Sequence, residues 1–247
     1  MPELPEVETV KEALNQTVKG QTIKDIELRY EPMVKNMSAD EFKEKLINQT
    51  IQEVSRRGKY LVFHFDDYQL LSHLRMEGKY FYVDSDFELN PHVHAIFTLE
   101  NGKRLLYQDT RKFGTYHLYD KAIDLETTAP FQVLGLEPFA TEFTPSYVKE
   151  KIQNKKKPIK SLLLDQTVVC GLGNIYVDEV LYRARLHPLT SSSELTDKDI
   201  ANVVKYTVEV LARAIELGGT TIRTFRSSHG VSGTFQNELL VHQRKGE

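Results

Sequence analysis

Residues 1–8 bring together residue types that could attack an electrophilic carbon, and they read MPELPEVE. Removal of Met1 exposes the secondary amine of Pro2, and an α-amino group with a pKa of about 8 is partly unprotonated near neutral pH. Two carboxylates, Glu3 and Glu6, follow within one helical turn and could deliver a proton to the group that the amine displaces. A frayed, functionless terminus is the alternative interpretation, and the octapeptide alone leaves both open.

The residues that follow predict a rigid mount for this terminus. Pro5 suits the first position of a helix, and apolar residues then recur at helical spacing up to about Gly20, namely Val7, Val10, Leu14 and Val18. The carboxylates cluster at the amino end of this helix, where the helix dipole favours negative charge. The sequence therefore predicts an amphipathic helix that carries the N-terminal amine.

Residues 22 to about 120 alternate apolar and polar side chains, which predicts strands. The clearest runs are Thr22–Arg29, Tyr60–Phe65 and Ala95–Leu99, with turn signals between strands and a short helix at Ala39–Ile47. We expect a two-sheet antiparallel β-sandwich, or a flattened barrel, with the N-terminal helix packed at one end.

The second half switches to helical periodicity. Helices are predicted at Pro145–Lys155, Ile159–Leu164, Ile175–Arg185 and Asp197–Leu217, the last with Thr196 and Asp199 as its cap. The fold class is thus α+β, multidomain, with an all-α second domain. We expect a β domain at 1–130, a helical domain at 131–217, and a loop and tail at 218–247 that is rich in Gly, Ser and Thr near its start.

Composition places the chain among ordinary globular proteins. It has 247 residues, 40% of them hydrophobic and 27% charged, and a net charge of −3. The balance is uneven, because residues 1–130 hold 17 basic and 22 acidic residues whereas residues 131–247 hold 15 and 13. The single cysteine, Cys170, excludes internal disulfides and suits a reducing compartment. No apolar run approaches the roughly 18 residues of a membrane span, which predicts a cytoplasmic protein without a membrane partner.

Three segments could contact nucleic-acid phosphates. Lys59 follows Arg56, Arg57 and a glycine just before a strand. These residues alone favour a solvated hairpin edge over a phosphate contact. Lys155 opens a run of three lysines at 155–157, with Lys160 beyond Pro158 and Ile159, and such runs are usually solvated. Residues 171–174, which read GLGN, open a predicted helix, and glycines at a helix start form an anion site through backbone N–H groups.

A second set of side chains could enter a DNA duplex. Met76 lies beside a glycine turn, where it could equally fill the core. Arg111 and Phe113 lie two residues apart, on one face if the chain is extended. A damaged base in a duplex must be extruded before chemistry, and wedge side chains that fill the vacated space offset the cost of unstacking. His92 is better explained as a loop-end histidine than as a ligand, and nothing near His92 and His94 completes a metal site.

Taken together, these segments resemble the formamidopyrimidine-DNA glycosylases, which excise oxidised purines from DNA. The resemblance runs through the opening octapeptide, the lysine segment at 55–60, the turns at 73–78 and 109–114, the GLGN turn and the glycine-rich segment from 218. It implies base excision repair of damaged double-stranded DNA by a bifunctional glycosylase and AP lyase that acts as a monomer in the bacterial cytoplasm. Oxidised purines such as 8-oxoguanine would be removed through a Schiff base on the N-terminal proline, followed by β- and δ-elimination.

The resemblance also implies that the β domain at 1–130 is catalytic and that the domain at 131–217 is a helix–two-turns–helix DNA-binding domain. It further implies roles for individual residues. The catalytic residues are Pro2, Glu3, Glu6 and Lys59. The DNA contacts are His73, His92, Arg111, Lys155, Lys160 and Asn174. The duplex wedge is Met76, Arg111 and Phe113, and the lesion-capping loop contains Thr220, Arg223 and Thr224.

The sequence departs from the family near residue 247. Relatives continue into a zinc finger of four cysteines, whereas this chain supplies no such ligands, so we expect no metal, no cofactor and weakened DNA binding. Two alternatives stay open. One is a lesion-binding or abasic-site-binding fragment with impaired catalysis, and the other is an endonuclease VIII-type glycosylase for oxidised pyrimidines.

Overall fold

A computed structural model of the chain describes residues 1–220, the backbone of 225–226, and residues 233–242, 244 and 246. The chain divides into two compact units. The β unit comprises residues 1–2, 6–125 and 222–232, and the helical unit comprises residues 3–5, 126–221 and 233–247. No helix within the described ranges is both long and apolar enough to cross a membrane.

The β unit contains helix α1 (Leu4–Thr17, whose first two residues belong to the helical unit) and helix α2 (Ala39–Leu46). Both confirm predicted helices, and Ser38 caps α2 by accepting a hydrogen bond from the Glu41 N–H. Its strands are β1 Ile23–Leu28, β2 Glu53–Arg57, β3 Tyr60–His64, β4 Tyr68–His73, β5 Lys79–Val83, β6 Val93–Leu99, β7 Arg104–Gln108, β8 Thr115–Asp120 and β9 Phe225–Arg226.

These strands form two sheets, which confirms the predicted antiparallel sandwich. One sheet has the order β1-β6-β7-β5-β9 and the other the order β2-β3-β4-β8. All pairs are antiparallel except β5 with β9, which is parallel. Alternate side chains of both sheets, such as Phe63 and Phe97, share one core with the apolar stripe of α1. The apolar stripe of α1 is thus fully buried, as the amphipathic pattern predicts.

The helical unit contains α3 (Pro145–Ile152), α4 (Ile159–Leu164), α5 (Asn174–Ala184) and α6 (Asp197–Glu216). All four predicted helices are present, and Thr196 and Asp199 form the predicted capping box at the start of α6. Helix α3 ends three residues before the predicted boundary at Lys155. The lysine run repels itself, and Pro158 disfavours helical geometry in the residue before it, so the helix stops early.

Candidate active site and nucleic-acid interface

The N-terminal segment is fixed to the start of α5 within the helical unit. The Glu3 carboxylate accepts hydrogen bonds from the backbone N–H groups of Gly173 at 2.6 Å, Ile175 at 2.9 Å and Tyr176 at 3.3 Å. The Leu4 N–H donates to the carbonyl of Gly171 at 3.1 Å. Glu3 is therefore a buried anion at a helix amino end, where backbone donors and the helix dipole both favour negative charge.

Two glycines make this close approach possible. A Cβ on Gly173 would lie 2.4 Å from Cδ of Glu3, and a Cβ on Gly171 would lie 2.5 Å from Cδ1 of Leu4. Gly171 also has a φ of +102°, which side-chain-bearing residues rarely adopt. Gly173 of the GLGN segment thus donates, together with Ile175 and Tyr176 beyond it, to a carboxylate of the same chain. We call this region, residues 171–176 with Glu3, the Glu3 clamp.

In the β unit, α1 and the β2–β3 hairpin bring further charged groups together. Glu8 accepts a 2.6 Å hydrogen bond from Nε of Arg56, whose Nη1 donates to the Gly58 carbonyl at 3.0 Å. Burial raises the pKa of Glu8, but hydrogen bonds from Lys11 and Arg56 outweigh it, so the pKa lies below its usual value. This ion pair links α1 to the turn that carries Lys59.

Glu6 and Lys59 are both nearly buried, with 5% and 6% of their surfaces exposed. Charged side chains are rarely buried unless they serve a partner or a reaction. The placement of Lys59 therefore argues against the solvated hairpin edge that the sequence left open.

His73 begins a turn at residues 73–78, between β4 and β5. Its Nδ1 accepts a hydrogen bond from the Arg75 N–H at 2.9 Å, which leaves Nε2 as the protonated nitrogen of the neutral ring. Burial, with the nearby cations of Arg75 and Lys59, lowers the pKa of His73 to about 3. Met76 follows in the same turn and is 40% exposed, so it is not core filler.

The turn at residues 109–114 joins β7 to β8 and carries Arg111 and Phe113. Phe113 is 49% exposed, and the guanidinium of Arg111 lies 4.7 Å from the centre of its ring. The two predicted wedge side chains of this turn are thus in contact with each other at the surface of the β unit.

His92 is exposed, and its carbonyl accepts the N–H of Asp109 at 2.9 Å. The neighbouring His94 is 3% exposed, and its Nε2 lies 2.8 Å from the Asp109 carbonyl oxygen, to which it donates. His94 therefore has a structural partner, and His92 remains the accessible histidine of the pair.

The predicted cations of the helical unit lie around its short helices. Lys155 precedes α4, and Lys160 lies in its first turn and forms a 2.7 Å ion pair with Asp178 of α5. Asn174 is the first residue of α5 and its side chain is exposed. Thr220 is nearly buried, and the predicted loop residues Arg223 and Thr224 lie outside the described residues.

Sequence reasoning missed three residues that organise these regions. Asp109 accepts hydrogen bonds from three backbone N–H groups of its own turn, and Tyr107 packs beneath it. Glu179 of α5 is fully buried and accepts hydrogen bonds from the backbone N–H groups of residues 240–242. An acidic residue in the apolar stripe of a predicted helix, as Glu179 is, was the available signal.

The structural zinc that the resemblance implies does not fit these residues. Cys170, the only cysteine, is buried and its thiol donates to Glu137 at 3.4 Å. Within the part of the chain that the structure describes, no three His, Cys, Asp or Glu side chains form a group that could hold a metal ion.

Comparisons with known proteins agree across the chain. The formamidopyrimidine-DNA glycosylase N-terminal domain matches residues 1–116, and the H2TH domain of the same enzymes matches residues 134–226. The formamidopyrimidine-DNA glycosylases of Bacillus licheniformis and Bacillus subtilis are each 46% identical over 248 residues, which is 100% of this chain and 90% of theirs.

Solved structures extend the match to the fold. A complex of Lactococcus lactis Fpg with abasic-site DNA has a TM-score of 0.88 at 41% identity, over 96% of this chain and 86% of that one. A complex of wild-type Lactococcus lactis Fpg with DNA containing N7-benzyl-Fapy-dG has a TM-score of 0.88 at 42% identity, over 96% and 87%. The chain therefore belongs to the formamidopyrimidine-DNA glycosylase family of DNA-repair enzymes.

Proposed function

We propose that this protein is a bifunctional DNA glycosylase and AP lyase that removes oxidised purines, such as 8-oxoguanine and formamidopyrimidines, from double-stranded DNA. The observation that carries the proposal is the Glu3 clamp. Three backbone hydrogen bonds to Glu3 hold the residue that follows Pro2, which argues against a frayed terminus. Relatives bound to abasic-site DNA and to N7-benzyl-Fapy-dG DNA support the choice of substrate.

The proposed reaction starts with the Pro2 nitrogen after removal of Met1. Its lone pair attacks the sugar C1′, the C1′–N bond to the damaged base breaks, and the base leaves with a proton. Opening of the sugar ring gives an iminium between Pro2 and C1′. Loss of a C2′ proton then allows the 3′ C–O bond to break, and a second elimination breaks the 5′ C–O bond. Hydrolysis of the iminium frees the enzyme, and the DNA is left with a one-nucleotide gap.

In this scheme Glu3 is the general acid toward the sugar ring oxygen, Glu6 orients the assembly and Lys59 provides a buried cation near the reacting phosphate. The three N–H donors favour the ionised form of Glu3 in the free protein. The proton that it delivers must therefore arrive in the substrate complex, and until then Glu3 stabilises positive charge developing at the sugar. The amine and the carboxylates suffice for this chemistry, and we expect no cofactor.

The remaining predicted residues would bind DNA. We propose that His73, His92, Lys155, Lys160 and Asn174 contact the backbone, where such contacts fix register without reading sequence. Three wedge residues, Met76, Arg111 and Phe113, would fill the space that the extruded nucleotide leaves. Arg111 would also offer donors to the orphaned cytosine, and the protein would act as a monomer.

Borohydride trapping on a duplex with one 8-oxoguanine opposite cytosine tests the proposal. We expect a covalent adduct from the chain with Met1 removed. The adduct should fall to background in a protein whose N-terminal tag is left in place, because the tag turns the Pro2 amine into an amide. A Pro2→Gly variant keeps a terminal amine, so its adduct should decrease without disappearing. The Bacillus subtilis relative is the positive control, and thermal melts verify that each variant folds.

The same assay separates the alternatives. Binding of abasic-site DNA without an adduct would replace the enzyme with a lesion-binding protein. A faster reaction with thymine glycol than with 8-oxoguanine would favour the endonuclease VIII type. An adduct of equal yield from the tagged protein would contradict the Pro2 mechanism.

A further inference from the structure

The two turns that carry the wedge residues share one support. The turn at residues 73–78 presents Met76, and the turn at residues 109–114 presents Arg111 and Phe113. They are far apart in sequence, and β5, β6 and β7 lie between them along the chain. We infer that Tyr107 and Asp109 are positioning residues that hold both turns as one rigid unit. The inference rests on the proposed function, because it concerns extrusion of the damaged base.

Asp109 builds the second turn almost alone. One carboxylate oxygen accepts the Arg111 N–H at 3.0 Å, and the other accepts the N–H groups of Phe113 at 2.9 Å and Gly114 at 2.8 Å. The residue is 1% exposed, and the Lys112 N–H donates to its carbonyl at 3.3 Å. Four of the five backbone N–H groups of residues 110–114 therefore bind this one residue. Its carboxylate fixes the backbone at both wedge positions of the turn.

Tyr107 connects that turn to the first one. Its hydroxyl lies 3.4 Å from the Asp109 carboxylate, to which it donates. A Cβ on Gly114 would lie 1.6 Å from the Tyr107 hydroxyl oxygen, and a Cβ on Gly78 would lie 2.4 Å from the same atom. The hydroxyl is thus packed against the backbone of both turns, and both positions require glycine.

The Tyr107 ring cannot yield, because it is 1% exposed and packs between Tyr80 and Tyr116 at centroid distances of 5.2 and 5.5 Å. Burial and the adjacent Asp109 raise the pKa of Tyr107, so its hydroxyl stays protonated and remains a donor. Since the ring is anchored in the sandwich core, the core sets the position of both turns.

Each turn also holds a strained residue immediately before its exposed apolar side chain. Arg75 precedes Met76 with a φ of 54°, and Lys112 precedes Phe113 with a φ of 57°. Residues other than glycine take this conformation only when their surroundings enforce it. Hydrogen bonds to His73 and to the Asp109 carbonyl do so here. Both apolar side chains are thereby held at the surface before any DNA arrives.

A preset wedge matters because insertion into a duplex has to offset the cost of unstacking. A loose turn would lose conformational freedom at that moment, whereas a fixed turn has lost it on folding. Substitution of Tyr107 or Asp109 should therefore slow reactions that need extrusion. It should not change the rates of reactions that do not need extrusion.

The test compares two substrates. Excision of 8-oxoguanine from a duplex requires extrusion, and borohydride trapping on a single-stranded oligonucleotide with an abasic site does not. Asp109→Asn puts an amide N–H₂ against backbone N–H donors, and Tyr107→Phe removes the hydroxyl between the turns. The matched controls are Asp84→Asn and Tyr82→Phe, because Asp84 pairs with Lys103 on the surface and the Tyr82 hydroxyl binds Asn101.

On the duplex we expect single-turnover rates to fall roughly 10- to 100-fold for Asp109→Asn and roughly 3- to 10-fold for Tyr107→Phe, the scale of a misplaced positioning group. Trapping on the single strand should stay within about twofold, and the controls should match the wild type on both substrates. Fluorescence of 2-aminopurine beside the lesion should show slower extrusion in the same two variants.

Equal losses on both substrates, or no loss on either, would overturn the inference. A wild-type protein inactive on both substrates would instead overturn the proposed function, and this inference with it. If Asp109→Asn does not fold, as thermal melts would show, Tyr107→Phe decides the outcome.

Discussion

The turn at residues 109–114 and the Glu3 clamp at residues 171–176 use the same device in two units of the molecule. In each, a buried carboxylate accepts hydrogen bonds from three backbone N–H groups. Asp109 accepts hydrogen bonds from residues two to five positions further along the chain, whereas Glu3 accepts them from residues at least 170 positions away.

The two carboxylates differ in how far along the chain their N–H donors lie, and this difference implies two ways in which the turns form during folding. A local carboxylate can form its turn through contacts with residues no more than five positions away, because little chain must be closed. A distant carboxylate can bind its turn only once the rest of the fold has brought the N-terminus there. The wedge turn is therefore built by a carboxylate of its own segment, between strands of different sheets, and the Glu3 clamp is a product of the folded chain.

The largest expected effect comes from exchanging each carboxylate for an amide. Glu3→Gln should lower excision by about 10²–10⁴-fold, the usual contribution of a general acid, and should impair both the duplex and the single-stranded reaction. Asp109→Asn should impair the duplex reaction alone. Single-turnover kinetics on both substrates measure this contrast. A Glu3→Gln protein with wild-type rates would remove Glu3 from the chemistry and reduce the clamp to a structural contact.

A second prediction tests whether Gly173 is required by the carboxylate beside it. Gly173→Ala should lower the free energy of unfolding by about 1–3 kcal/mol, because the new Cβ would overlap Glu3. The cost should shrink by more than about 0.5 kcal/mol in a Glu3→Ala background, as expected for residues in contact.

Denaturant titrations of the wild type, the two single variants and the double variant measure this coupling. Gly102→Ala is the control for the loss of glycine alone, because nothing lies within 4 Å of its Cβ position, although its φ of +82° adds strain. Fully additive costs at Gly173 and Glu3 would show that the overlap is not the cause.

The third prediction concerns acid sensitivity in the β unit. The pKa of His73 is about 3 in the folded protein and 6.5 in the unfolded chain, so below pH 6.5 the unfolded chain binds a proton that the folded one does not. Above pH 6.5 His73 is neutral in both states and does not change the free energy of unfolding. As the pH falls from 6.5 toward 3, proton uptake by the unfolded chain lowers the free energy of unfolding. At pH 5 the loss is about 2 kcal/mol.

His73→Asn keeps an acceptor for the Arg75 N–H and should abolish that part of the pH dependence. His187→Asn is the matched control, because His187 also accepts the N–H of the residue two positions on but is exposed. Urea titrations at pH 7 and pH 5 give the difference. If the free energy of unfolding of His73→Asn fell between pH 7 and pH 5 as much as that of the wild type, the histidine would not be held neutral.

The smallest expected effect lies away from both turns. Thr196→Ala removes the side-chain hydrogen bond to the Asp199 N–H at the start of α6 and should cost about 1 kcal/mol. We expect excision rates and trapping yields equal to those of the wild type once the protein is folded. A parallel loss of activity would show that activity in the other variants simply follows stability.

Much of the fold could be predicted from the sequence because its signals are local. The apolar stripe of α1, the alternation in β1, β3 and β6 and the capping box of α6 each fix an element through neighbours within a few residues. Errors were confined to boundaries, as at the end of α3, where repulsion within the lysine run and the geometry before Pro158 outweighed helical periodicity.

The site was less accessible from the sequence. The motifs named Glu3, Lys59 and Phe113, but not the groups that hold them. Tyr107 looked like one more strand aromatic, since nothing in its position shows that its hydroxyl lies against Gly78 and Gly114. Glu179 lies in the apolar stripe of a predicted helix, but nothing in the sequence shows that it binds the backbone of residues 240–242.

The sequence by itself determined the family, the helices and strands, and the residue types available for amine and carboxylate chemistry. Only the tertiary structure decided that Glu3 occupies the anion site of the GLGN turn, that His73 is kept neutral by burial beside two cations, and that one tyrosine supports two turns. The physical reason is that periodicity, caps and turns act over a few residues. Burial, desolvation and close packing depend on which distant segments meet, and they exist only in the folded chain.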